Sequence, residues 1–184
     1  SGSLTTVMQQ VGWRVRRLEG GYKAYRHAVL ADLAQWPARF AWRVIVGPTG
    51  SGKSRLLRAL GEAGAQVLDL EALAEHRGSV LGGLPSQPQP SQKHFESRVW
   101  AALRGFDRTR PVFVESESRK VGDLRVPEQL IESMRAAPCV SLELPQAERV
   151  RLLREEYRHL ETEPEALCAQ LDCLTALHGH ERTE

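Results

Sequence analysis

Val44-Ile45-Val46-Gly47-Pro48-Thr49-Gly50-Ser51-Gly52-Lys53-Ser54 decides how the rest of the chain is read. A short β-branched run leads straight into G-x-x-x-x-G-K-S, and Leu56, Leu57 and Leu60 follow at helical spacing, so the stretch is strand, glycine loop, helix. Such a loop turns successive backbone N–H groups inward at a helix N-terminus, where the dipole adds partial positive charge, and a di- or triphosphate is held largely by main chain. Gly47, Gly50 and Gly52 permit positive φ and close backbone approach. Pro48, Thr49, Ser51 and Arg55 complete the lining, Lys53 brings a point charge to the outer phosphates, and the Ser54 hydroxyl can join the shell of a magnesium ion. A glycine-rich turn that merely fits the pattern would not carry both flanking contexts.

Working outward, the first core strand covers residues 42 to 46 and the helix after the loop runs to about Glu62, with a Gly61/Gly64 exit. Gln66 to Leu70 reads as a second strand. Asp69, at its end, stands where open parallel sheets place functional residues, and it also suits a cap for a helix from Glu71 to Ala74. His76 to Gln92 is too rich in glycine and proline for a regular element, and a loop that long is usually functional or disordered. Lys93 to Leu103 is helical, through Phe95, Val99 and Leu103. Pro111 to Glu115 is a third buried strand ending in a carboxylate, the arrangement with which loop-type phosphate binders hold a metal or its water. Ser54 and Glu115 are therefore the metal candidates, and Lys53, Glu115 and Asp69 the catalytic ones. Arg119 and Lys120, in the polar turn after Glu115, are candidates for clamping phosphates or an RNA backbone.

Pro127 opens a further helix through Leu130, Ile131 and Met134. Cys139 to Leu144 is a fourth strand, followed by a charged helix from Gln146 to Leu160 in which Arg151 and Glu155 can pair at i,i+4. A last helix spans Pro164 to His178, and His178 and His180 are too loosely spaced for a metal pair. Ahead of the core, residues 4 to 20 read as a short helix, a turn at Gly12 and a strand from Trp13 to Leu18, the close of another unit. Tyr22 to Trp36 is an amphipathic linker helix stopped by Pro37. Alternating strands and helices predict an α/β fold, a three-layer parallel sheet of the P-loop NTPase type.

Hydrophobic residues make up 41% of the 184 and charged residues 26%, which is ordinary for a soluble domain, and no apolar run reaches membrane-span length. Cys139, Cys168 and Cys173 make no C-x-x-C pair, which suits a reducing cytoplasm and packing roles. The net charge of +2 conceals an asymmetry: residues 1 to 60 carry +8 and the remainder −6. A basic third beside a phosphate loop points to a polyanion such as RNA, contacted by some of Arg14, Arg16, Arg17, Lys23, Arg26, Arg119 and Lys120, or else to solvated helix faces.

Five motifs in order support a resemblance: Leu18 to Arg26, the loop Gly47 to Ser54, Val67 to Glu71 with His76-Arg77-Gly78-Ser79, Gln89 to Lys93 with Phe95-Glu96, and Pro111 to Ser118. Together they closely resemble the bacterial tRNA 2-selenouridine synthases over residues 4 to 160. The glycine loop is common to a whole superfamily, whereas this run of motifs is specific. The resemblance implies a transferase with an N-terminal rhodanese-like domain carrying a catalytic cysteine, then a phosphate-loop domain. Such enzymes act on the wobble 2-thiouridine of tRNA, pass through an S-geranylated intermediate made from geranyl diphosphate, and install selenium from selenophosphate. On this reading residues 1 to 36 are the remnant of the rhodanese-like unit plus the linker helix, residues 37 to 184 are the phosphate-loop domain, and the missing rhodanese-like domain and tRNA are the partners of a cytoplasmic monomer. Val80, Leu81, Leu84 and Phe95 would line a slot for the geranyl chain, or simply the core. Two other readings stand beside this one. One is a small-molecule or nucleoside kinase, with Asp69 and Arg77 on the acceptor and Arg119 on the phosphates. The other is a non-catalytic tRNA-docking, phosphate-binding module.

Overall fold

A computed structural model describes residues 2–76 and 88–156. Arg77, the Val80–Leu84 slot, Cys168, Cys173 and the final helix lie outside the described residues. The elements in chain order are α1 (Gly2–Gln10), α2 (Gly21–Leu33), a 3-10 turn (Pro37–Arg39), β1 (Trp42–Val46), α3 (Lys53–Glu62), β2 (Gln66–Leu68), α4 (Leu70–Ala74), α5 (Gln92–Gly105), β3 (Val112–Glu115), β4 (Lys120–Val121), β5 (Leu124–Arg125), α6 (Glu128–Arg135), β6 (Cys139–Ser141) and α7 (Gln146–Glu156).

The main sheet has the order β2-β3-β1-β6 and every pair in it is parallel. β1 lies in the centre, with Val44 level with Val114 on one side and Cys139 on the other. Because right-handed crossovers are the rule, the step from β1 out to β2 puts α3 on one face, and the steps back through β3 to β6 put α5 and α6 on the opposite one. Three layers result, as the alternation of elements predicts.

Strand parity then assigns the residues. Trp42, Val44, Leu68, Val112 and Val114 enter the main core with Val29, Leu33, Phe95, Val99, Leu103, Leu130, Ile131 and Met134. The intervening positions, among them Ile45 and Glu115, turn to the α3 face. This is how a carboxylate comes to terminate a strand whose other residues are apolar.

Several expectations change. Residues 13 to 18 form no strand: Trp13 and Leu18 are exposed, and the stretch has no neighbour in a ladder to take its backbone groups. α2 is more than a linker, since its Val29 and Leu33 are buried in the core and Trp36 packs against it, so packing runs across the 36/37 boundary. α1, in contrast, buries none of its residues. The strand expected over residues 66 to 70 ends at Leu68, where Asp69 caps α4, and the one expected over 139 to 144 ends at Ser141. Cys139 is exposed on edge strand β6, not packed.

Phe95 joins α5 to the sheet and is wholly buried. Phe95→Ala should lose about 3–5 kcal/mol in a denaturant melt, a large part of the roughly 5–15 kcal/mol that holds a typical domain folded.

Candidate functional site

β1 ends at Val46 and the chain enters the loop at the carboxyl edge of the sheet. Gly50 and Gly52 have φ of 77° and 83°, the left-handed region where a side chain is strained. Gly47 is needed for a different reason: a Cβ there would stand 2.6 Å from Ser51 Oγ and 2.7 Å from the Leu142 carbonyl. Gly52 precedes the first turn of α3, whose leading N–H groups have no intrahelical carbonyl to meet. Lys53 folds across the loop and donates from Nζ to the Gly47 carbonyl at 3.1 Å and the Pro48 carbonyl at 3.5 Å. Its ammonium thus rests on two carbonyls at the start of the loop.

Ser54, one residue on, faces the strand ends. Its Oγ is 3.4 Å from Glu115 Oε2 and 3.4 Å from Glu71 Oε2. Glu71, Glu115 and Glu117 bring carboxylate oxygens within 4.8 Å of one another. Glu115 is 1% exposed and its Oε1 is buried with no hydrogen-bond partner. Burial, reinforced by Glu71, Glu117 and Asp69 and opposed by Lys53, pushes its carboxyl up to about 8. Burial likewise raises Glu117 to about 7, with Glu71 adding to the effect and Lys53 opposing it.

A hydroxyl and three carboxylates are hard oxygen donors, and the orphaned Glu115 Oε1 leaves one donor unsatisfied, so the group fits magnesium. Ser54 and Glu115, the two metal candidates, are brought together at 3.4 Å. Glu71 and Glu117 were not foreseen, yet they are each two residues beyond an acid singled out in the sequence, Asp69 and Glu115. Glu71 lies in the first turn of α4 and Glu117 in the loop after β3, so no strand or helix period marks either, and nearness in sequence to those two acids was the one signal.

The remaining candidates separate. Asp69 accepts the Ala72 N–H at 2.8 Å and is the N-cap of α4. Arg119 pairs with Glu128 at 3.6 Å, both exposed, and Lys120 is exposed on β4. Arg55 pairs with Glu155 of α7 at 2.8 Å. Arg55 is thus the ion-pair partner of Glu155, while Arg151 pairs with Glu148 at 2.9 Å and adds a lesser favourable charge effect on Glu155. Arg26 is tied to Glu96 with little of either exposed, so it leaves the set of surface cations, whereas Arg14, Arg16, Arg17 and Lys23 remain exposed.

Two predictions follow from this geometry. Asp69→Asn keeps a capping acceptor and should bind pyrophosphate like wild type, while Asp69→Ala should lose about 0.5–2 kcal/mol of stability; weakened pyrophosphate binding in the Asn variant, measured by calorimetry, would return Asp69 to the binding machinery. The second concerns pH. The folded chain keeps protons on Glu115 and Glu117 that the unfolded chain releases near pH 4.5, so stability without metal should fall as pH rises from about 4.5 to about 8. Glu115→Gln, neutral and nearly isosteric, should flatten that slope and melt above wild type at pH 8 in thermal scans with chelator present.

Comparison with known proteins bears on the whole arrangement. Residues 40–176 match the family described as the tRNA 2-selenouridine synthase AAA domain. A tRNA 2-selenouridine synthase of Aeromonas salmonicida (strain A449) is 37% identical over 154 residues, 83% of this chain and 40% of that protein. That of Nitrosomonas europaea is 38% identical over 143 residues, covering 76% of this chain and 37% of the relative, and that of Hydrogenovibrio crunogenus is 39% identical over 153 residues, covering 79% and 41%. The chain spans about two-fifths of the length of these curated relatives. No solved structure matches it. The glycine loop and the parallel sheet that carries it are thus those of the AAA domain, and the chain belongs to the tRNA 2-selenouridine synthase family.

Proposed function

We propose that this chain is the phosphate-binding part of an enzyme that converts wobble 2-thiouridine of tRNA to 2-selenouridine, and that its loop holds the diphosphate of geranyl diphosphate during formation of S-geranyl-2-thiouridine. One juxtaposition carries the reading: a main-chain N–H cradle with Lys53 across it, set against Ser54 and a buried carboxylate cluster. That is a site for a phosphate anion together with a cation.

In the proposed step the sulfur of 2-thiouridine attacks C1 of the geranyl group. The C1–O bond breaks, its electron pair leaves with the diphosphate, and the N3 proton of the base passes to water. The sulfur is a soft nucleophile, so no protein nucleophile is needed. The N–H groups of the loop and Lys53 stabilise charge as it develops on the leaving oxygen, in the way fixed donors stabilise oxyanions. Ser54, Glu115, Glu71 and Glu117 would hold magnesium, whose chemistry is to neutralise the departing diphosphate. Exposed Arg14, Arg16, Arg17 and Lys23 offer the tRNA backbone a cationic surface. Replacement of sulfur by selenium from selenophosphate is assigned to the full-length enzyme with its rhodanese-like domain.

The test is to incubate the chain with 2-thiouridine tRNA, geranyl diphosphate and magnesium, digest the RNA, and weigh the nucleosides. S-geranyl-2-thiouridine is the expected product, and Lys53→Ala should reduce its rate by about 100-fold or more, the usual loss when one oxyanion donor is removed. Hydrolysis of ATP with ATP outcompeting geranyl diphosphate would instead favour the kinase reading. Selenouridine formed by this chain alone would overturn the division of labour.

A further inference from the structure

Helix α7 leans on the outside of the glycine loop. Arg149 Nε donates to the Thr49 carbonyl at 3.0 Å. A Cβ on Gly50 would lie 2.8 Å from Leu153 Cγ and 3.0 Å from the carbonyl of Arg149 itself, and one on Gly52 would touch Leu152 Cδ1 at 3.6 Å. Arg55 and Glu155 close the same seam at 2.8 Å. The segment between β6 and α7 presses from the other side, where Leu142 bonds through its N–H to the Val46 carbonyl at 2.8 Å and fills the place a Gly47 side chain would take.

We propose that Arg149 is a positioning residue of the phosphate site, acting through the Thr49 carbonyl, and that α7 is a brace which sets the shape of the cradle. The inference rests on the phosphate reading above. A trans peptide unit directs its C=O and its N–H in opposite senses. With the Thr49 carbonyl held outward by the guanidinium, the N–H of Gly50 is held toward the inside of the loop. That N–H donates to no backbone carbonyl among the described residues, so it is available to a phosphate oxygen. A cation on the carbonyl also polarises the same amide and makes its N–H a better donor. Gly50 accordingly serves twice: its φ of 77° makes the turn, and its missing side chain lets α7 come close enough for the Arg149 bond. Arg151, two residues on, is exposed and occupied by Glu148, and so provides an internal control.

The experiment measures amide hydrogen exchange across residues 49–54 in the ligand-free chain and the affinity of each variant for inorganic pyrophosphate. Arg149→Ala should speed exchange of the loop amides and weaken pyrophosphate binding by about tenfold each, the scale of one hydrogen bond from a charged donor. Arg149→Lys, which can still reach a carbonyl with a charged donor, should recover most of both effects. Arg151→Ala should alter neither. Leu153→Ala, which loosens the seam without touching the Thr49 bond directly, should move exchange in the same direction by a smaller factor. Unchanged loop exchange or unchanged pyrophosphate affinity in Arg149→Ala would overturn the inference, as would failure of the Lys variant to recover. If the wild-type chain does not bind pyrophosphate, the phosphate reading falls, and the exchange measurements still decide by themselves whether α7 braces the loop.

Discussion

Two missing side chains govern the construction of this protein. The loop between β1 and α3 is pressed between the Leu142 carbonyl and helix α7, and there is no room for a Cβ at Gly47 or Gly50. Everything at the site depends on that closeness. With Gly47 bare, the end of β1 lies flush against the segment leaving β6, so the loop begins at a fixed height above the sheet. With Gly50 bare and left-handed, the chain turns back over α3 and presents N–H groups instead of side chains to whatever enters. An alanine at either position would have to move backbone, since its nearest neighbours include the carbonyls of Leu142 and Arg149. The parallel sheet contributes the matching half: because β1, β2 and β3 run in one direction, their ends deliver Ser54, Glu71 and Glu115 to one edge.

The extent to which this was legible in sequence follows the range of the interactions involved. β1 came out at its observed bounds and α3 at its observed end because each is fixed by a local pattern, a β-branched run and a leucine period with a glycine loop between. Glu115 was legible for the same reason, as a carboxylate closing an apolar strand. Glu71 and Glu117 were not, since their meaning depends on β2 and β3 being neighbours in the sheet, which no local window contains. Arg26 read as a surface cation because Glu96, its partner, is seventy residues away in sequence. Glu155 read as the helix partner of Arg151, whereas the fold offers it Arg55 from α3, and Arg151 takes Glu148 one turn back. The expected strand at residues 13 to 18 failed for the converse reason: its pattern is strand-like, but a strand needs a neighbour, and the sheet extends elsewhere.

On the proposed function, a phosphate anion has to be accommodated beside three carboxylates, Glu71, Glu115 and Glu117, with Lys53 near them, a conflict of like charges. Two states of the site resolve it. Without a cation, protons do so: Glu115 and Glu117 are raised to about 8 and about 7, mainly because burial disfavours their charge and Glu71 adds repulsion. In that state the negative charge of the edge is reduced, and Lys53 rests on the carbonyls of Gly47 and Pro48. On the proposed function, a divalent cation held by Ser54, Glu71, Glu115 and Glu117 would displace those protons and neutralise phosphate charge beside them. On that proposal cation and anion would support one another's binding, since either alone would leave uncompensated charge in a buried place. The cost of keeping Glu115 at 1% exposure with an unpartnered oxygen fits a site whose satisfied form includes a cation. On the proposed function, the loop braced by α7 would supply rigid donors on one side and the carboxylates an adjustable charge on the other, the combination that would hold a diphosphate more tightly as a leaving group than as an ester.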